Sequence, residues 1–262
     1  MMSAYKNIIV ETQNGVAVLT FNNPESRNPL TEETKDEMLA ALAEVEAAND
    51  LRALVLTGRG SAFCAGGDIK KMGQELTPEE IRQAMKKSQQ LLWKILRLEK
   101  PVVAAVNGDA FGLGFNLVLT ADFAIASETA RFSEVFVKLG LIPDFGGLYF
   151  LPRLIGVEKT RELVYFGDIL TAQEVKGMGL LFKVVSPPEL EKEAMVLAHR
   201  LAEMPTKAIG QAKKLLGRTF EMTLEEILEE EIKAQTYLSR TEDHREAIRA
   251  FLERRKPQFQ GK

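Results

Sequence analysis

The feature that most constrains the fold is an apolar run near the middle of the chain, followed by a glycine-rich turn. Pro101 opens the run, which is rich in valine and alanine and ends at Val106, and this pattern predicts a buried strand. Residues 108–114 read Gly-Asp-Ala-Phe-Gly-Leu-Gly, and the apolar spacing of residues 115–120 predicts a short buried helix. Such a turn leaves unpaired N–H groups with the helix dipole behind them. The turn therefore predicts a place that attracts negative charge, unless it is only a tight turn without a ligand.

Strand and helix signals alternate through the first part of the chain. Asn14-Gly15 between two apolar runs predicts a hairpin, and Thr31 and Thr77 each predict the start of a helix. Further strands are predicted at residues 51–57, 121–126 and 182–185. The helix after Thr77 is expected to turn a set of apolar residues inward, namely Met85, Leu91, Leu92, Trp93, Ile95 and Leu96. Alternating strands and helices imply an α/β fold with a layered core.

The last part of the chain carries helix signals alone. Two of the predicted helix starts are the runs Thr223-Leu224-Glu225-Glu226 and Ser239-Arg240-Thr241-Glu242, and no strand signal follows residue 186. We therefore expect two regions, a core of residues 1–190 and a helical region of residues 191–262. A helical extension with apolar stripes either packs on a neighbouring subunit or folds back on its own core, and the sequence leaves both open.

Composition excludes several classes of protein. A net charge of -3 does not indicate a nucleic acid or an anionic membrane as partner. One cysteine, Cys64, excludes an internal disulfide and fits a reducing compartment, and His199 and His244 lie too far apart to indicate zinc. No signal peptide and no run of ~18 apolar residues is visible. These features predict a soluble protein of the cytoplasm without a metal ion or a membrane partner.

Two turns of the chain share one design. Residues 62–69 and 108–114 both follow a predicted strand and consist largely of small residues. Each turn could offer one N–H to the same carbonyl oxygen and so stabilise an oxyanion, where losing one donor costs roughly 3 to 4 kcal/mol. A thioester suits such a site because its enolate carries the negative charge on that oxygen. Dinucleotide binding fits less well, since Leu117 stands where a third glycine is needed.

Three segments resemble the enoyl-CoA hydratase/isomerase (crotonase) superfamily, namely residues 63–69, 100–114 and 140–156. The likeness extends from the first hairpin to about residue 257. It implies a crotonase-like right-handed spiral of ββα units with a C-terminal helical trimerisation region, assembled as a homotrimer or as a hexamer (dimer of trimers). It also implies an acyl-CoA thioester substrate, so that coenzyme A enters with the substrate and no separate cofactor is expected.

The resemblance also implies roles for individual residues. Gly67 and Leu113 correspond to the two oxyanion N–H donors of the family. The residues expected to bind the substrate are Ser26, Arg27, Asn28, Ala65, Asp68, Ile69, Gly112, Phe136 and Phe145. Lys256 and Phe259 lie where the tail of the family can cover the nucleotide.

The chain departs from the hydratases of this family at both catalytic glutamates. Those enzymes hold and split a water molecule with two glutamates, and Asn116 and Phe136 stand at the matching positions. Neither side chain can take a proton at neutral pH. Glu134 lies two residues from the second position, but strand alternation is expected to turn it away. Hydration by the usual two-acid route is therefore doubtful.

Asp144 is the acid that remains. By resemblance, isomerases and dehalogenases of the superfamily place a working aspartate here, although an aspartate before a helix can also be an N-cap worth about 1 kcal/mol. Burial among the aromatic residues Phe111, Phe115, Phe136 and Phe145 would raise the pKa of Asp144, unless these rings are only core packing. A dehalogenase would need a histidine nearby, and residues 1–198 contain none.

A single base that moves one proton is what an isomerase requires. The greatest likeness is to the phenylacetate-pathway isomerases, which share the run Gly-Leu-Ile-Pro-Asp that ends at Asp144. We therefore expect an enoyl-CoA isomerase that shifts a double bond. The alternatives are an enoyl-CoA hydratase with an atypical active site, and a non-catalytic acyl-CoA-binding or scaffold subunit.

Overall fold

Six strands form the larger of two sheets. A computed structural model describes residues 5–69, 73 and 75–262. In spatial order these strands are β1 (Ile8–Gln13), β2 (Val16–Phe21), β3 (Ala53–Gly58), β5 (Val102–Val106), β7 (Phe123–Ser127) and β10 (Lys183–Val185). The first pair is antiparallel, and Asn14 and Gly15 form its turn with φ of 46° and 80°. The other four pairs are parallel, which confirms the predicted α/β arrangement.

A second, smaller sheet brings the two small-residue turns together. Its order is β4 (Ala62–Cys64), β6 (Asp109–Phe111), β8 (Arg131–Ser133) and β9 (Leu170–Thr171). The strands β4 and β6 pair in parallel, so the chain leaves both at the same edge. The turn that follows Cys64 and the turn that follows Phe111 therefore start as neighbours.

Several of the helices begin at caps that the sequence predicts. They are α1 (Glu32–Ala47), α2 (Pro78–Arg97), α3 (Leu113–Leu119), α4 (Gly147–Phe166), α5 (Ala172–Gly177), α6 (Leu190–Ala202), α7 (Thr206–Leu216), α8 (Leu224–Leu238) and α9 (Glu242–Leu252). Thr31 and Thr241 accept a hydrogen bond from the third residue of their helices, and Thr77 and Thr223 form complete capping boxes. None of the described helices has the length and the apolar content needed to cross a membrane.

The helix α2 buries a narrower face than the sequence predicts. Leu91 and Ile95 are fully buried, whereas Met85 is 38% exposed and Trp93 is 51% exposed. The expectation that Met85 and Trp93 face the core is therefore wrong. Trp93 lies two positions after Leu91, about 200° around the helix, and its ring packs instead under the guanidinium of Arg97 at 4.6 Å.

The helix α6 packs on the larger sheet. Leu190, Ala194 and Leu197 belong to a buried cluster with Val55 and Val103, so the packing of the sheet continues past residue 190. The later helix α8 buries none of its residues, and Leu224, Leu228 and Ile232 are exposed on it. The division into residues 1–190 and 191–262, and a role of the second region in assembly, stay predictions.

Candidate active site

Two glycines allow the turns after β4 and β6 to touch. Gly66 has a φ of 100°, and a Cβ there would lie 2.9 Å from the main-chain oxygen of Phe111 and 3.8 Å from the nitrogen of Leu113. A Cβ on Gly114 would lie 2.0 Å from the oxygen of Cys64. No larger residue fits either position without moving main-chain atoms. The start of α3 is therefore packed directly on the turn of residues 65–67.

The two predicted oxyanion donors lie in these turns. Leu113 is the first residue of α3, where the amide N–H has no acceptor within the helix. Within the described part of the chain, neither the amide of Leu113 nor that of Gly67 has a hydrogen-bond partner. Both amides are therefore available to a ligand. Their joint action on one oxygen stays a prediction, which the contact between the turns supports.

Asp144 does not cap the helix that follows it. The N-cap of α4 is Gly146, with no side-chain cap, so the interpretation of Asp144 as an N-cap is wrong. The main-chain oxygen of Asp144 accepts hydrogen bonds from the Gly147 nitrogen at 3.0 Å and from Asn116 Nδ2 at 2.9 Å. Its carboxylate oxygen Oδ1 is buried and has no hydrogen-bond partner among the described residues. Oδ1 is thus available to accept a hydrogen bond or a proton, and a catalytic role of Asp144 stays a prediction.

Glu134 is a second carboxyl of the site. Its side chain is 1% exposed, and neither carboxylate oxygen has a hydrogen-bond partner of normal geometry in the described structure. The expectation that strand alternation turns Glu134 away is wrong, because side chains two positions apart on a strand lie on the same face and because β8 ends at Ser133. Glu134 has φ and ψ of -85° and 62° and leads into the 3-10 helix Val135–Leu139.

One signal in the sequence could have identified Glu134. It stands directly before Val135-Phe136-Val137, where a lone acid among apolar residues is either turned to solvent or buried for a reason. Alternation itself would also have placed Glu134 on the same face as residue 136, since the two lie two positions apart.

Glu134, Asp144 and Asn116 form one buried polar cluster. Burial and the charge of Asp144 raise the pKa of Glu134 to about 8, partly offset by the side chain of Asn116. Burial raises the pKa of Asp144 to about 6, against the opposing effects of the Lys35 charge and of its own main-chain amide. In the part of the chain that the structure describes, every buried side-chain oxygen or nitrogen without a partner belongs to these three residues.

Aromatic rings enclose part of this cluster. Phe136 is 8% exposed and its ring lies 3.4 Å from the position of a Cβ on Gly112, while Phe145, next to Asp144 in the chain, is 5% exposed. Phe115 is fully buried against Phe132, with 5.2 Å between the ring centres. All of these rings belong to the buried core, and a contact of Phe136 and Phe145 with an acyl group stays a prediction.

The loop predicted to bind coenzyme A is joined to the first turn. The nitrogen of Ala65 donates to the oxygen of Arg27 at 3.0 Å. The side chain of Asn28 is buried and donates to the main-chain oxygens of Ala62 at 2.8 Å and Arg59 at 3.0 Å. Asn28 thus holds the loop in shape through its side chain.

The remaining residues of the predicted binding set are more accessible. Ser26 and Ile69 are exposed, and Gly67 and Asp68 are partly exposed. Their contacts with a substrate stay predictions. In the tail, the oxygen of Phe259 accepts a hydrogen bond from Arg52 at 2.6 Å and Lys256 pairs with Glu203 at 2.9 Å, so both are held against their own chain.

A buried carboxylate fixes two arginines beside the loop. Asp109 is 5% exposed and pairs with Arg27 and with Arg131, the latter at 2.8 Å. The two guanidinium groups also lie over the ring of Phe111, at 5.7 Å and 5.8 Å from its centre. The carboxylate therefore ties the loop of residues 26–28 to the smaller sheet.

Solved structures share this fold over the whole chain. An enoyl-CoA hydratase subunit from Geobacillus kaustophilus superposes with a TM-score of 0.92 at 35% identity, covering 99% of this chain and 100% of that one. An enoyl-CoA hydratase from Bacillus anthracis superposes with a TM-score of 0.92 at 34% identity, covering 98% and 100%. The predicted crotonase-type fold is confirmed.

Known relatives include proteins named as isomerases and proteins named as hydratases. The 1,2-epoxyphenylacetyl-CoA isomerase of Escherichia coli K12 is 36% identical over 97% of this chain and 98% of its own length. The crotonyl-CoA hydratase of Syntrophomonas wolfei is 36% identical over 99% of this chain and 100% of its own length. A family model described as enoyl-CoA hydratase/isomerase matches residues 11–262. The chain therefore belongs to the enoyl-CoA hydratase/isomerase family, whose members process acyl-CoA thioesters.

Proposed function

We propose that this protein is an enoyl-CoA isomerase in which Asp144 is the single base. The observation that carries the proposal is the buried carboxylate of Asp144, which caps no helix. Asp144 lies beside Asn116, and Asn116 stands at the position where a hydratase of this family has an acid. Its pKa of about 6 leaves it ionised at neutral pH and more basic than an exposed aspartate. This combination suits the removal of a proton from carbon.

The reaction needs one proton and no water. The carboxylate of Asp144 takes a proton from the α carbon of a 3-enoyl thioester, and the electron pair of the broken C–H bond moves toward the thioester oxygen. The N–H groups of Gly67 and Leu113 stabilise the negative charge on that oxygen. Asp144 then returns the proton to the γ carbon, and the double bond ends between the α and β carbons. The same steps run in reverse for a 2-enoyl thioester.

One observation favours a hydratase as the second candidate. Glu134 gives the site two buried carboxyls, and two acids could hold and split a water molecule even though neither stands at the usual position. The similarity to a crotonyl-CoA hydratase is also as high as that to an isomerase, with 36% identity in each case. The isomerase is preferred because the two positions that hold water in the hydratases carry Asn116 and Phe136.

The test is mass spectrometry of a panel of acyl-CoA compounds incubated with the protein in heavy water. The panel contains 2-enoyl, 3-enoyl, aryl and cyclic acyl-CoA. The isomerase predicts deuterium at the α or γ carbon without added water. A gain of one water on 2-enoyl-CoA as the main reaction would overturn the isomerase in favour of the hydratase.

A variant assigns the reaction to Asp144. The change Asp144→Asn is expected to reduce isomerisation roughly 10²- to 10⁴-fold, the range that a proton-transfer group contributes, with acyl-CoA affinity retained. Asp168→Asn, which changes an exposed aspartate after α4, is the matched control and should leave the rate unchanged. A panel without any reaction, combined with normal acyl-CoA binding, would instead support the scaffold subunit.

The proposal includes an assembly and a location. We expect a homotrimer or a hexamer in the cytoplasm, with residues 191–262 contributing to the contacts between subunits. The exposed apolar residues of α8 support that expectation. Sedimentation of the purified protein measures the mass of the assembly, and a monomer would contradict it.

A further inference from the structure

Hydrogen-bond donors are few in the buried cluster around Asp144. The unpartnered atoms are both oxygens of Glu134, Oδ1 of Asp144 and Oδ1 of Asn116. An ionised carboxylate only accepts hydrogen bonds. The amide group of Asn116 donates one N–H to the main-chain oxygen of Asp144 at 2.9 Å, which leaves one N–H for Glu134. Two ionised carboxyls here would bury two like charges, which one N–H and the charge of Lys35 compensate only in part. A proton on one of them removes one charge and supplies a donor.

We propose that Glu134 holds this proton in the resting enzyme and keeps the second carboxyl neutral while Asp144 acts as the base. Glu134 is then a positioning residue, which acts through Asp144 and gives no proton to the substrate. This inference rests on the proposed isomerase function and assigns a role to a side chain that a single-base mechanism does not use.

The charges that face the pair determine which carboxyl keeps the proton. Lys35 of α1 is 5% exposed and acts on Asp144, which favours the ionised form of that residue. Lys35 also pairs with Glu32 at 2.9 Å. For Glu134, the charged group that faces it in the described structure is Asp144, and its negative charge favours the protonated form. The higher pKa of Glu134, about 8 against about 6, agrees with this order.

A neutral Glu134 matters most when the enolate forms. The enolate brings a negative charge into the same buried space, where charges are poorly screened. An ionised Glu134 would oppose that charge and would also raise the pKa of Asp144. The turnover rate should therefore rise as Asp144 loses its proton near pH 6 and fall as Glu134 loses its proton near pH 8, with both apparent values belonging to the pair.

The test compares Glu134→Gln with Glu134→Leu across the pH range. Glutamine keeps the shape and a hydrogen-bond donor but cannot ionise. The turnover rate of Glu134→Gln at pH 7 should therefore fall by less than the roughly 100-fold that a proton-transfer group contributes. Its rate should no longer fall on the alkaline side and should exceed that of the wild type at pH 9. Glu134→Leu, which offers no donor, should be slower than Glu134→Gln at every pH.

Two outcomes would overturn the proposal. A loss in Glu134→Gln as large as that in Asp144→Asn would mean that Glu134 itself transfers a proton to the substrate. If the turnover rate of Glu134→Gln still falls at alkaline pH as it does in the wild type, the proton of Glu134 has no role. Both outcomes can be measured only if the wild type turns over the substrate.

A spectroscopic measurement separates this inference from the proposed function. Infrared difference spectra of wild type against Glu134→Gln, recorded at pH 7 without substrate, should show the C=O stretch of one protonated carboxyl in the wild type alone. That band should disappear as the pH is raised through 8. Its absence at pH 7 would overturn the inference even if the isomerase is confirmed, and its presence would stand even if the isomerase fails.

Discussion

The side-chain amide of Asn116 donates a hydrogen bond of 2.9 Å to the main-chain oxygen of Asp144. It connects the first turns of α3 to the loop before α4, across 28 residues of sequence. Asn116 is fully buried, and a Cβ on Gly147 would lie only 2.5 Å from its Nδ2. The residue at the position of a hydratase acid thus serves here to hold the segment that carries the proposed base.

Replacing Asn116 by leucine should loosen Asp144. The variant keeps the approximate volume but removes the donor, so the free energy of unfolding should fall by about 1 kcal/mol and the isomerisation rate should fall with it. The control Thr57→Val removes a bond of 2.9 Å from the threonine hydroxyl to the oxygen of Ala105. Urea denaturation and the heavy-water assay measure both effects. Equal rates in the two variants would contradict this role of Asn116.

The buried carboxyl pair should make the stability depend on pH. The folded-state pKa of Glu134 is raised from 4.5 to about 8, so the fold binds this proton more tightly than the unfolded chain does. The resulting stabilisation is complete below pH 4.5 and is lost as the pH rises to about 8. One pKa unit corresponds to about 1.4 kcal/mol, which gives an effect on the order of a few kcal/mol.

Glu134→Gln tests this dependence without any substrate. Thermal unfolding should show the variant gaining stability relative to the wild type as the pH rises from 5 to 9. The exposed pair Lys159–Glu162 provides the control, because Glu162→Gln should show no such trend. A difference between Glu134→Gln and wild type that is constant with pH would mean that Glu134 has an ordinary pKa in the folded protein.

Gly114→Ala should separate the two turns. The new Cβ would lie 2.0 Å from the oxygen of Cys64, and main-chain atoms would have to move. We expect a loss of at least about 3 kcal/mol in the free energy of unfolding and a fall in activity, because the amides of Gly67 and Leu113 would move apart. Gly177→Ala on α5 meets no atom within 4 Å and should be neutral or slightly stabilising. A Gly114→Ala variant as stable as Gly177→Ala would contradict the close contact.

Asp109→Asn should release the arginines beside the binding loop. The carboxylate is buried, but the side chains of Arg27 and Arg131 are 45% and 52% exposed, which limits the loss to about 1 to 2 kcal/mol. If Arg27 positions the loop for coenzyme A, the KM for acyl-CoA should rise while kcat changes little. The free energy of unfolding and the KM, each determined at several salt concentrations, measure the two effects. An unchanged KM would mean that the ion pairs serve stability alone.

Local features of the fold could be predicted because they depend on residues that are close in sequence. The Asn14-Gly15 turn needs φ values that glycine and asparagine adopt easily, and it forms as predicted. The caps at Thr31 and Thr77 depend on one hydroxyl and an amide three residues later. The two small-residue turns were visible for the same reason. Their common design led to the prediction of a shared oxyanion site, and the resemblance to the family added Gly67 and Leu113 as its donors.

The directions of single side chains depended on the tertiary structure. Trp93 was expected to face the core and yet lies outside, because it stands on the side of α2 opposite to the buried Leu91. Asp144 precedes a helix and yet does not cap it, since Gly146 takes that position. Glu134 comes just after the end of β8, and its side chain is buried beside Asp144.

By itself, the sequence determined the class of fold, the two turns and the departure of residues 116 and 136 from the hydratases. Only the tertiary structure decided that Asn116, Glu134 and Asp144 form one buried polar cluster. The physical reason is that burial and charge act through space, between residues that lie 10 to 28 positions apart in the chain. The pKa of an acid depends on these neighbours, and they are known only when the chain is folded.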